Sequence, residues 1–533
     1  MDFNWLTLAL NDFFWIGITF ALGLLARKIG LPPMVGFLAA GFVLSSQNIV
    51  NRELMSQMAD LGITLLLFTI GLKINVKNLM RPQVWAVSSL HALITIIAIG
   101  LIMFSLTSTS LTLFSSLSIE NILLIAFALC FSSTVFVVKA MESKGEMDSF
   151  HGRIAIGVLI IQDIFAVLFL AVSSNKMPSI WSLGLLALIP LRYIFYKVIE
   201  QVGHGELLIV YGFLLAMGGS EIFELVGIKG DLGALIIGMM FSTHAKAEEL
   251  VKTMLGFKDL FLLGFFLSIG LNGQPTFEVV TVALMITPLI LFKAALFFAL
   301  FVKFKLRART ALLSTINLSN YSEFGLIVIA ISVTNGWVDS RWLTIMALSI
   351  AFSFVISSIL NKHAHKIYTQ HRKKWKKFQT DTRLPNDQIL DFGDAQVVII
   401  GMGTVGTGAY DQLIKEYEDR MVGVDIYPDT VVSQQKQGRH VILGDPSDAD
   451  FWDRINQSHQ LKLVMLTLPQ FSSSMAVIEQ LRESRFKGKI AATAKFPDEI
   501  EQLNAAGVDT VFNMYTEAGA GFAVHVGKQT ILS

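Results

Sequence analysis

The chain has 533 residues, of which 53% are hydrophobic and only 16% are charged, and its formal net charge is +1. A composition this apolar lies outside the range of soluble globular domains and indicates a membrane protein. The near-neutral charge balance gives no electrostatic reason to expect nucleic acid as a partner. The single cysteine, Cys130, excludes an intrachain disulfide framework and a cysteine-based structural zinc site.

Residues 1–362 consist of one apolar stretch after another, whereas 395–533 read as a soluble domain behind a basic cytoplasmic linker at 363–394. The apolar stretches predict about thirteen transmembrane spans, beginning with a retained first helix because the N-terminus lacks a cleavable signal. Two stretches, 33–46 and 230–243, are rich in glycine and shorter than the roughly 20 residues that a straight span needs. They predict either tilted or broken helices.

Lysine and arginine are concentrated in alternate loops between the predicted spans. Because the cytoplasmic side of a membrane retains positive charge, these loops are predicted to be cytoplasmic and the N-terminus to lie outside. The aromatic and basic stretch 363–379 then follows the last span in the cytoplasm, either as a stop signal or as a surface for anionic lipid. The basic residues of the predicted cytoplasmic loops are Arg27, Lys28, Lys73, Lys77, Arg81, Lys139, Lys144, Arg153, Lys246, Lys252, Lys258, Lys303, Lys305, Arg307 and Arg309.

Asp163 is the leading functional candidate, because it stands in the apolar run GVLIIQDIFAVLFLAV with about ten apolar residues on either side. A carboxylate can carry either a proton or a cation, and burial raises its pKa toward the pH at which the two compete. The preceding Gln162 offers an amide oxygen to a partly dehydrated cation without adding a second negative charge. The pair therefore predicts electroneutral one-for-one exchange of a monovalent cation for a proton.

Polar runs interrupt two other apolar stretches. Ser132, Ser133 and Thr134 lie in one, and the run NLSNYSEF with Glu323 lies in a later one. Transporters place interrupted helices at the membrane midplane, where freed carbonyls and helix ends meet the ion, although serine hydroxyls also often bond a carbonyl one turn back. Lys293, in LILFKAALFF, is predicted to be a structural counter-charge for a carboxylate or an unwound helix end.

The membrane half resembles the Kef-type potassium/proton antiporters of the monovalent cation:proton antiporter superfamily. The resemblance implies an inverted-repeat fold with two crossed broken helices, a homodimer, K⁺ bound at Asp163 and Gln162, and a bacterial inner-membrane location, and it allows an ancillary regulatory subunit. The segments that carry it are LGITLLLFTIGL (61–72), FSSTVFVVKAM (131–141), Gln162-Asp163, KGDLGALIIGMMFS (229–242), FKDLFLLGFFLSIGL (257–271) and SEFGLIVIAIS (322–332).

From residue 396 the pattern changes to short β-branched runs that alternate with amphipathic stretches, which predicts an α/β Rossmann-like domain with a parallel sheet. The run VVIIGMGTVGTGAYDQL places a GxGxxG motif between a strand and a helix, and an acid closes the next strand 24 residues after the first glycine. Such glycines admit phosphate to the helix N-terminus, and the acid can bind both ribose hydroxyls. The predicted nucleotide-binding residues are Gly401, Met402, Gly403, Thr404, Val405, Gly406, Asp425, Gly444 and Asp445.

The same domain resembles the RCK/TrkA-N nucleotide-binding domains of potassium transport, with VILGDPSDADFW (441–452) and GVDTVFNMYTEAGAGFA (507–523) as further matches. The resemblance implies a regulatory ligand, AMP or NAD(H), on Gly403, Asp425 and Asp445. A nucleotide-gated potassium channel and a sodium/proton antiporter remain alternatives, but a TVGYG-like filter is missing from the sequence. A membrane oxidoreductase would rest on the glycines alone, so the chain is not expected to be an enzyme.

Overall fold

The computed structural model groups the chain into two compact units. The first comprises residues 1–136, 155–304 and 315–364, and the second comprises 137–154, 305–314 and 365–533. Lys77, residues 447–451 and most of the predicted linker beyond 379 lie outside the described residues, and the predicted domain boundaries stay predictions. The structure describes residues 4–29, 31–45, 50–73, 81–108, 112–144, 146–147, 149–173, 179–227, 230–244, 246–273, 275–379, 384, 394–446, 452, 461–484 and 486–530.

Helices follow one another through residues 4–375. They are α1 (Asn4–Lys28), α2 (Pro33–Leu44), α3 (Arg52–Lys73), α4 (Pro82–Leu106), α5 (Thr112–Ser115), α6 (Ile119–Cys130), α7 (Thr134–Lys144), α8 (Phe150–Ser173), a 3₁₀ turn (Ile180–Ala187), α9 (Leu188–Val202), α10 (Glu206–Leu225), α11 (Gly230–Phe241), α12 (Ala247–Asn272), α13 (Phe277–Ile286), α14 (Leu289–Lys303), α15 (Ala308–Leu318), α16 (Glu323–Thr334), α17 (Arg341–Lys362) and α18 (Ala364–Trp375).

Local signals in the sequence begin several of these helices. Pro33 and Pro82 occupy first helical positions, where the missing N–H has no intrahelical partner to lose. The side chains of Ser118 and Thr276 accept hydrogen bonds from backbone N–H groups in the first turns of α6 and α13. These ends are therefore set by residues that are visible in the sequence.

Among the described residues, six helical stretches are long and apolar enough to cross a bilayer. The pair α15 and α16, bent by 41° at the break between them, is a seventh candidate. Shorter apolar helices occur at Pro33–Leu44, Leu232–Phe241 and Leu260–Leu271. Because the criteria are length and composition alone, the larger number of spans expected from the sequence stays a prediction. The six are Arg52–Leu72, Pro82–Leu106, Ile119–Met141, Glu206–Leu225, Phe277–Lys303 and Arg341–Lys362.

The two short glycine-rich helices, α2 and α11, pack backbone to backbone against longer ones. A Cβ atom on Gly41 would lie 2.5 Å from the Leu267 carbonyl oxygen of α12, and one on Gly71 of α3 would lie 2.3 Å from the Leu235 carbonyl oxygen of α11. Small residues let membrane helices approach this closely, which increases their van der Waals contact. The glycines therefore serve helix packing.

The second unit contains a parallel sheet in the order β3-β2-β1-β4-β5-β6. This confirms the α/β Rossmann-like fold expected from the sequence. The strands and the helices that follow them are β1 (Val397–Ile400), α19 (Thr404–Tyr417), β2 (Met421–Asp425), α20 (Pro428–Lys436), β3 (Val441–Leu443), β4 (Leu463–Leu466), α21 (Phe471–Glu483), β5 (Lys489–Ala494), α22 (Pro497–Ala505), β6 (Thr510–Asn513) and α23 (Met514–Thr530).

Both faces of the sheet are buried, which explains why its central strands are apolar without alternation. Val398 and Ile400 of β1 belong to the core on one face, and Val397 and Ile399 belong to the core on the other. The strand order reverses between β1 and β4, and ligands of such sheets bind at this point, outside the carboxyl ends of the strands.

Candidate functional site

Asp163 lies in the middle of α8 and is only 2% exposed. Its carboxylate accepts a hydrogen bond from the Thr134 hydroxyl, with 3.2 Å between Thr134 Oγ1 and Asp163 Oδ2. Thr134 is the first residue of α7, so the carboxylate lies beside the N-terminus of a helix, which carries a partial positive charge. The structure thus places a buried carboxylate, bonded by a hydroxyl group, beside the positive end of a helix.

The chain is extended between α6 and α7, and Gln162 holds the two sides of this break. The backbone N–H of Ser132 donates to Gln162 Oε1 over 2.9 Å, and Gln162 Nε2 donates to the Cys130 carbonyl oxygen over 3.3 Å. Helix ends leave backbone groups without intrahelical partners, and burial makes those groups costly unless something else satisfies them. The Gln162 amide satisfies one such group on each side of the break.

A second break separates α15 from α16, and the two breaks contact each other. Ser132 Oγ donates to the Leu318 carbonyl oxygen over 2.8 Å, and the Ser133 N–H donates to Asn320 Oδ1 over 2.6 Å. Asn320 also donates through Nδ2 to the Asn317 carbonyl oxygen, 2.8 Å away. The sequence predicted both breaks but not the role of Asn320, although an asparagine beside an interrupted helix is a visible signal.

Lys293 of α14 joins the same two breaks. Its ammonium group donates to the Phe131 carbonyl oxygen over 2.7 Å and to the Asn320 carbonyl oxygen over 3.1 Å, and the side chain is fully buried. The Tyr321 ring lies 4.9 Å from the nitrogen, within reach of a cation–π contact. The ammonium group thus lies at the carbonyl ends of two interrupted helices, which is one of the two positions that the sequence suggested for it.

Glu323 is the first residue of α16 and is 1% exposed. Within the described part of the chain, neither of its carboxylate oxygens has a hydrogen-bond partner. A negative charge in the first turn of a helix is favoured by the helix dipole, so Lys293 and Glu323 lie at helix ends of opposite polarity. No group of three or more metal-binding side chains occurs among the residues described.

The glycine motif of the second unit forms the turn from β1 into α19. Gly401 has a φ of +95°, a conformation that side chains rarely adopt. A Cβ on Gly406 would lie 1.8 Å from the Gly401 carbonyl oxygen, so this helix packs directly against the turn. A Cβ on Gly403 would meet nothing within 4 Å, which leaves open space in front of the N-terminus of α19.

Asp425 ends β2 beside this turn and is 7% exposed. Its Oδ2 accepts from the Met402 N–H over 2.8 Å, and its Oδ1 accepts from the Tyr427 N–H over 2.9 Å. A carboxylate oriented by two backbone donors keeps further lone pairs for the hydroxyls of a ribose. The geometry therefore suits the nucleotide contact predicted for this acid.

A cavity of about 520 Å³ opens over the carboxyl ends of the strands. This size lies within the usual range for small-molecule sites, roughly 300–1,000 Å³. Six of the predicted residues line it, whereas Met402, Gly406 and Gly444 do not, since Met402 is buried in the core and Gly406 contacts the turn. The six are Gly401, Gly403, Thr404, Val405, Asp425 and Asp445.

Other lining residues could not be assigned from the motif. Thr467, Gln470 and Lys495 follow β4 and β5, so they come from the half of the sheet without a glycine signature. Ser149, which directly precedes α8, also lines the cavity. Their positions depend on strand order and on contacts between distant segments.

A model of the family described as sodium/hydrogen exchanger, transmembrane, matches residues 16–362, and a model of the TrkA-N domain matches residues 397–514. The chain belongs to the sodium/hydrogen exchanger family. Its C-terminal part is a TrkA-N domain, a nucleotide-binding fold. The resemblance to Kef-type antiporters with such a domain is thereby confirmed, as is the helical antiporter fold.

Curated relatives match this chain across both of its parts. A protein named as a K⁺ efflux antiporter, KefB, of Alkalimonas amylolytica is 23% identical over 96% of this chain and 80% of its own length. A protein named as a cation/proton antiporter, YbaL, of Escherichia coli (strain K12) is 25% identical over 93% of this chain and 92% of its own length. Together with the two family matches, these relatives support a cation/proton antiporter of the Kef type with a TrkA-N domain.

Among solved structures, the sodium proton antiporter MjNhaP1 from Methanocaldococcus jannaschii is 15% identical, with a TM-score of 0.47, over 68% of this chain and 96% of that one. The TrkA-N domain of the inner membrane protein YbaL from Escherichia coli is 18% identical, with a TM-score of 0.23, over 26% of this chain and 99% of that one.

Proposed function

We propose that this antiporter exchanges K⁺ for protons with Asp163 as the carrier of both, in an electroneutral one-for-one cycle. The observation that carries the proposal is a carboxylate 2% exposed on α8, beside the N-terminus of α7. A buried acid cannot stay charged without a partner, so it binds either a proton or a cation and competition couples the two fluxes. Two of the relatives have names that refer to K⁺ or potassium.

The neighbourhood of Asp163 supports the one-for-one stoichiometry. Gln162 contributes no charge, and its Oε1 keeps a second lone pair for a cation after accepting from the Ser132 N–H. Lys293 is bonded to two carbonyl oxygens, which makes it a fixed counter-charge in this proposal. Thr134 then supplies a hydroxyl oxygen, and Ser132 and Ser133 fix the break that positions it.

The direct test is Asp163→Asn in the purified full chain reconstituted into liposomes. The variant keeps the size of the side chain but cannot release a proton, so we expect K⁺-driven proton movement to fall to the level of empty liposomes. Asp339→Asn is the matched control, because Asp339 is exposed and pairs with Arg341 by a 3.0 Å contact. Exchange that persisted in the Asp163 variant would exclude this carrier.

A cation series in the same liposomes tests the alternatives. Faster exchange with Na⁺ than with K⁺ would favour the sodium/proton antiporter. Cation flux without proton movement would favour a nucleotide-gated potassium channel. An exchange rate that is insensitive to an imposed membrane potential is expected for the electroneutral cycle, since no net charge crosses the membrane.

We further propose that an adenine nucleotide, AMP or NAD(H), binds the cavity of the TrkA-N domain and regulates exchange. Gly403 leaves room for phosphate at the N-terminus of α19, and Asp425 and Asp445 are acceptors for hydroxyl groups. Titration calorimetry with AMP and with NADH on the full chain, compared with Asp425→Ala, tests the site. Unchanged binding in that variant would place the nucleotide elsewhere.

The remaining expectations concern assembly and location. We propose a homodimer in the bacterial inner membrane, with the N-terminus outside and the TrkA-N domain in the cytoplasm, where adenine nucleotides are present. The concentration of lysine and arginine in alternate loops supports this orientation. Labelling of single cysteines tests this orientation once Cys130 is replaced. The cysteines are introduced at Arg341, the first residue of α17, and at Lys305, between α14 and α15, two positions that are predicted to lie on opposite sides of the membrane.

A further inference from the structure

The residue that directly precedes α8 forms part of the wall of the nucleotide cavity. Ser149 lines the cavity, and its hydroxyl accepts from the Gly152 N–H over 3.0 Å and donates to the Glu146 carbonyl oxygen over 2.7 Å. A Cβ on Gly152 would lie 2.4 Å from that same carbonyl oxygen, so the turn is tightly closed. Ser149 therefore places the start of α8 at the wall of the cavity.

Arg153 connects this turn with the carboxyl end of β2. Its Nη1 donates to the Ile426 carbonyl oxygen over 3.0 Å. Ile426 lines the cavity and directly follows Asp425, the carboxylate assigned to the ribose. If the Asp425–Tyr427 turn moves when a ligand binds, the Ile426 carbonyl oxygen moves with it, and the hydrogen bond from Arg153 to that oxygen changes.

Arg309 makes a corresponding contact from the first turn of α15. Its guanidinium Nη1 lies 4.0 Å from Asp445 Oδ2, and the arginine side chain is 3% exposed. Ser314, further along α15, donates to the His151 carbonyl oxygen over 3.1 Å, so the first turns of α8 and α15 are also joined to each other. Both helices thus begin beside residues of the cavity.

The same two helices carry the ion site. Asp163 lies ten residues after Arg153 on α8, about 15 Å along the helix, and Leu318 ends α15 about 14 Å beyond Arg309. Leu318 accepts the hydrogen bond from Ser132 that joins the two breaks. Continuous helices of this length transmit a displacement at one end to the other as rigid elements.

We propose that Arg153 and Arg309 are positioning residues that make the placement of α8 and α15 depend on whether the cavity holds an adenine nucleotide. The proposal rests on the nucleotide regulation proposed above. Ribose hydroxyls that donate to Asp445 add donors to the carboxylate that Arg309 approaches, which weakens its attraction for the guanidinium group. A ligand on Asp425 shifts the turn that holds Arg153. Nucleotide binding thereby changes one contact at the start of each helix of the ion site.

The test measures three quantities on the full chain for wild type, Arg153→Gln, Arg309→Gln and the double variant. They are the affinity for NADH and for AMP, the exchange rate without nucleotide, and the ratio of the rates with and without saturating nucleotide. We expect binding and basal exchange to persist. The ratio of the two rates is expected to move toward onefold in each single variant and to reach about onefold in the double variant.

Matched substitutions separate coupling from general loss of charge. Arg341→Gln removes an exposed arginine that pairs with Asp339 and Glu278, and it is expected to leave the ratio at the wild-type value. Arg153→Lys keeps a cationic donor and is expected to restore part of the ratio. A wild-type ratio in the Arg153 and Arg309 double variant would overturn the coupling proposal while leaving nucleotide regulation intact.

Hydrogen exchange on wild-type protein provides a test that needs no variant. We expect saturating NADH or AMP to change the protection of amides 149–156 and 309–314 together with that of 401–406. Changes confined to 401–406 would overturn the linkage. A wild type that binds neither nucleotide, or whose exchange rate ignores both, would overturn the proposed regulation itself and the linkage with it.

Discussion

The ion site and the nucleotide site satisfy their polar groups in opposite ways. Around Asp163 the chain leaves the helical conformation twice, and each break leaves backbone groups without an intrahelical partner. Side chains from distant segments bond these groups, namely Gln162, Asn320 and Lys293. At the nucleotide cavity the turn after β1 supplies the site, and Asp425 bonds the Met402 N–H of that turn, 23 positions before it, and the Tyr427 N–H, two positions after it. The buried ion site thus depends on contacts between distant segments, whereas the shape of the phosphate turn depends on Gly401, Gly403 and Gly406, which lie close together in sequence.

Among the substitutions that test this comparison, removal of the Lys293 ammonium group should have the largest effect on stability and on exchange. Lys293→Met leaves the Phe131 and Asn320 carbonyl oxygens without their donor in a buried environment. Each hydrogen bond to a charged group contributes about 1.5–3 kcal/mol, so we expect a destabilisation of about 3 kcal/mol or more and loss of exchange. Thermal unfolding in detergent and liposome flux measure both, with the exposed Lys303→Met on the same helix as control. A stable, active variant would show that the breaks need no cap.

Gly406→Ala should damage the nucleotide site alone. The added methyl group would lie 1.8 Å from the Gly401 carbonyl oxygen, so the turn must move and phosphate loses its place. We expect nucleotide affinity to fall by roughly two orders of magnitude, about 2.7 kcal/mol, with basal exchange retained. Gly408→Ala on the same helix meets nothing within 4 Å and serves as the control in calorimetry. Equal affinities in the two variants would contradict this reading of the turn.

Gln162→Glu sharpens the account of stoichiometry. The carboxylate cannot donate to the Cys130 carbonyl oxygen, and it adds a second acid next to Asp163. Because two adjacent acids bind more than one proton per cycle, we expect exchange to become sensitive to membrane potential while continuing at a reduced rate. Flux measured at imposed potentials gives the charge moved per cycle. A potential-independent rate in this variant would mean that the residue at position 162 does not affect the number of protons exchanged per cation.

The smallest effect concerns pH and the buried Glu146 in the loop before α8. Burial alone would raise the pKa of Glu146, but hydrogen bonds from His151 and His365 hold the pKa well below its ordinary value of 4.5. Because the folded-state pKa is depressed, the stabilisation is complete above about pH 4.5 and is lost as the pH falls through the folded-state pKa. The difference in melting temperature between wild type and Glu146→Gln should therefore shrink below pH 4.5. A difference that is constant with pH would contradict this assignment.

The sequence by itself determined what local pattern can encode. Asp163 was identified because it is an acid with about ten apolar residues on each side. The phosphate turn was identified because three glycines lie between a strand and a helix and Asp425 follows them. Both features follow from the cost of burying charge and from backbone sterics, which act on neighbouring residues. The apolar runs likewise predicted helices, and the β-branched runs predicted the parallel sheet.

Tertiary structure alone decided which distant groups meet. The Ser132 hydroxyl reaches the Leu318 carbonyl oxygen 186 positions away, and Lys293 joins two breaks that no periodicity relates. The same holds for Ser149 at the nucleotide cavity, since the motif that identified the cavity lies in another part of the chain. Hydrogen-bond partners of unwound backbone are chosen by packing in three dimensions, so residue type indicated that the breaks exist but could not say what holds them.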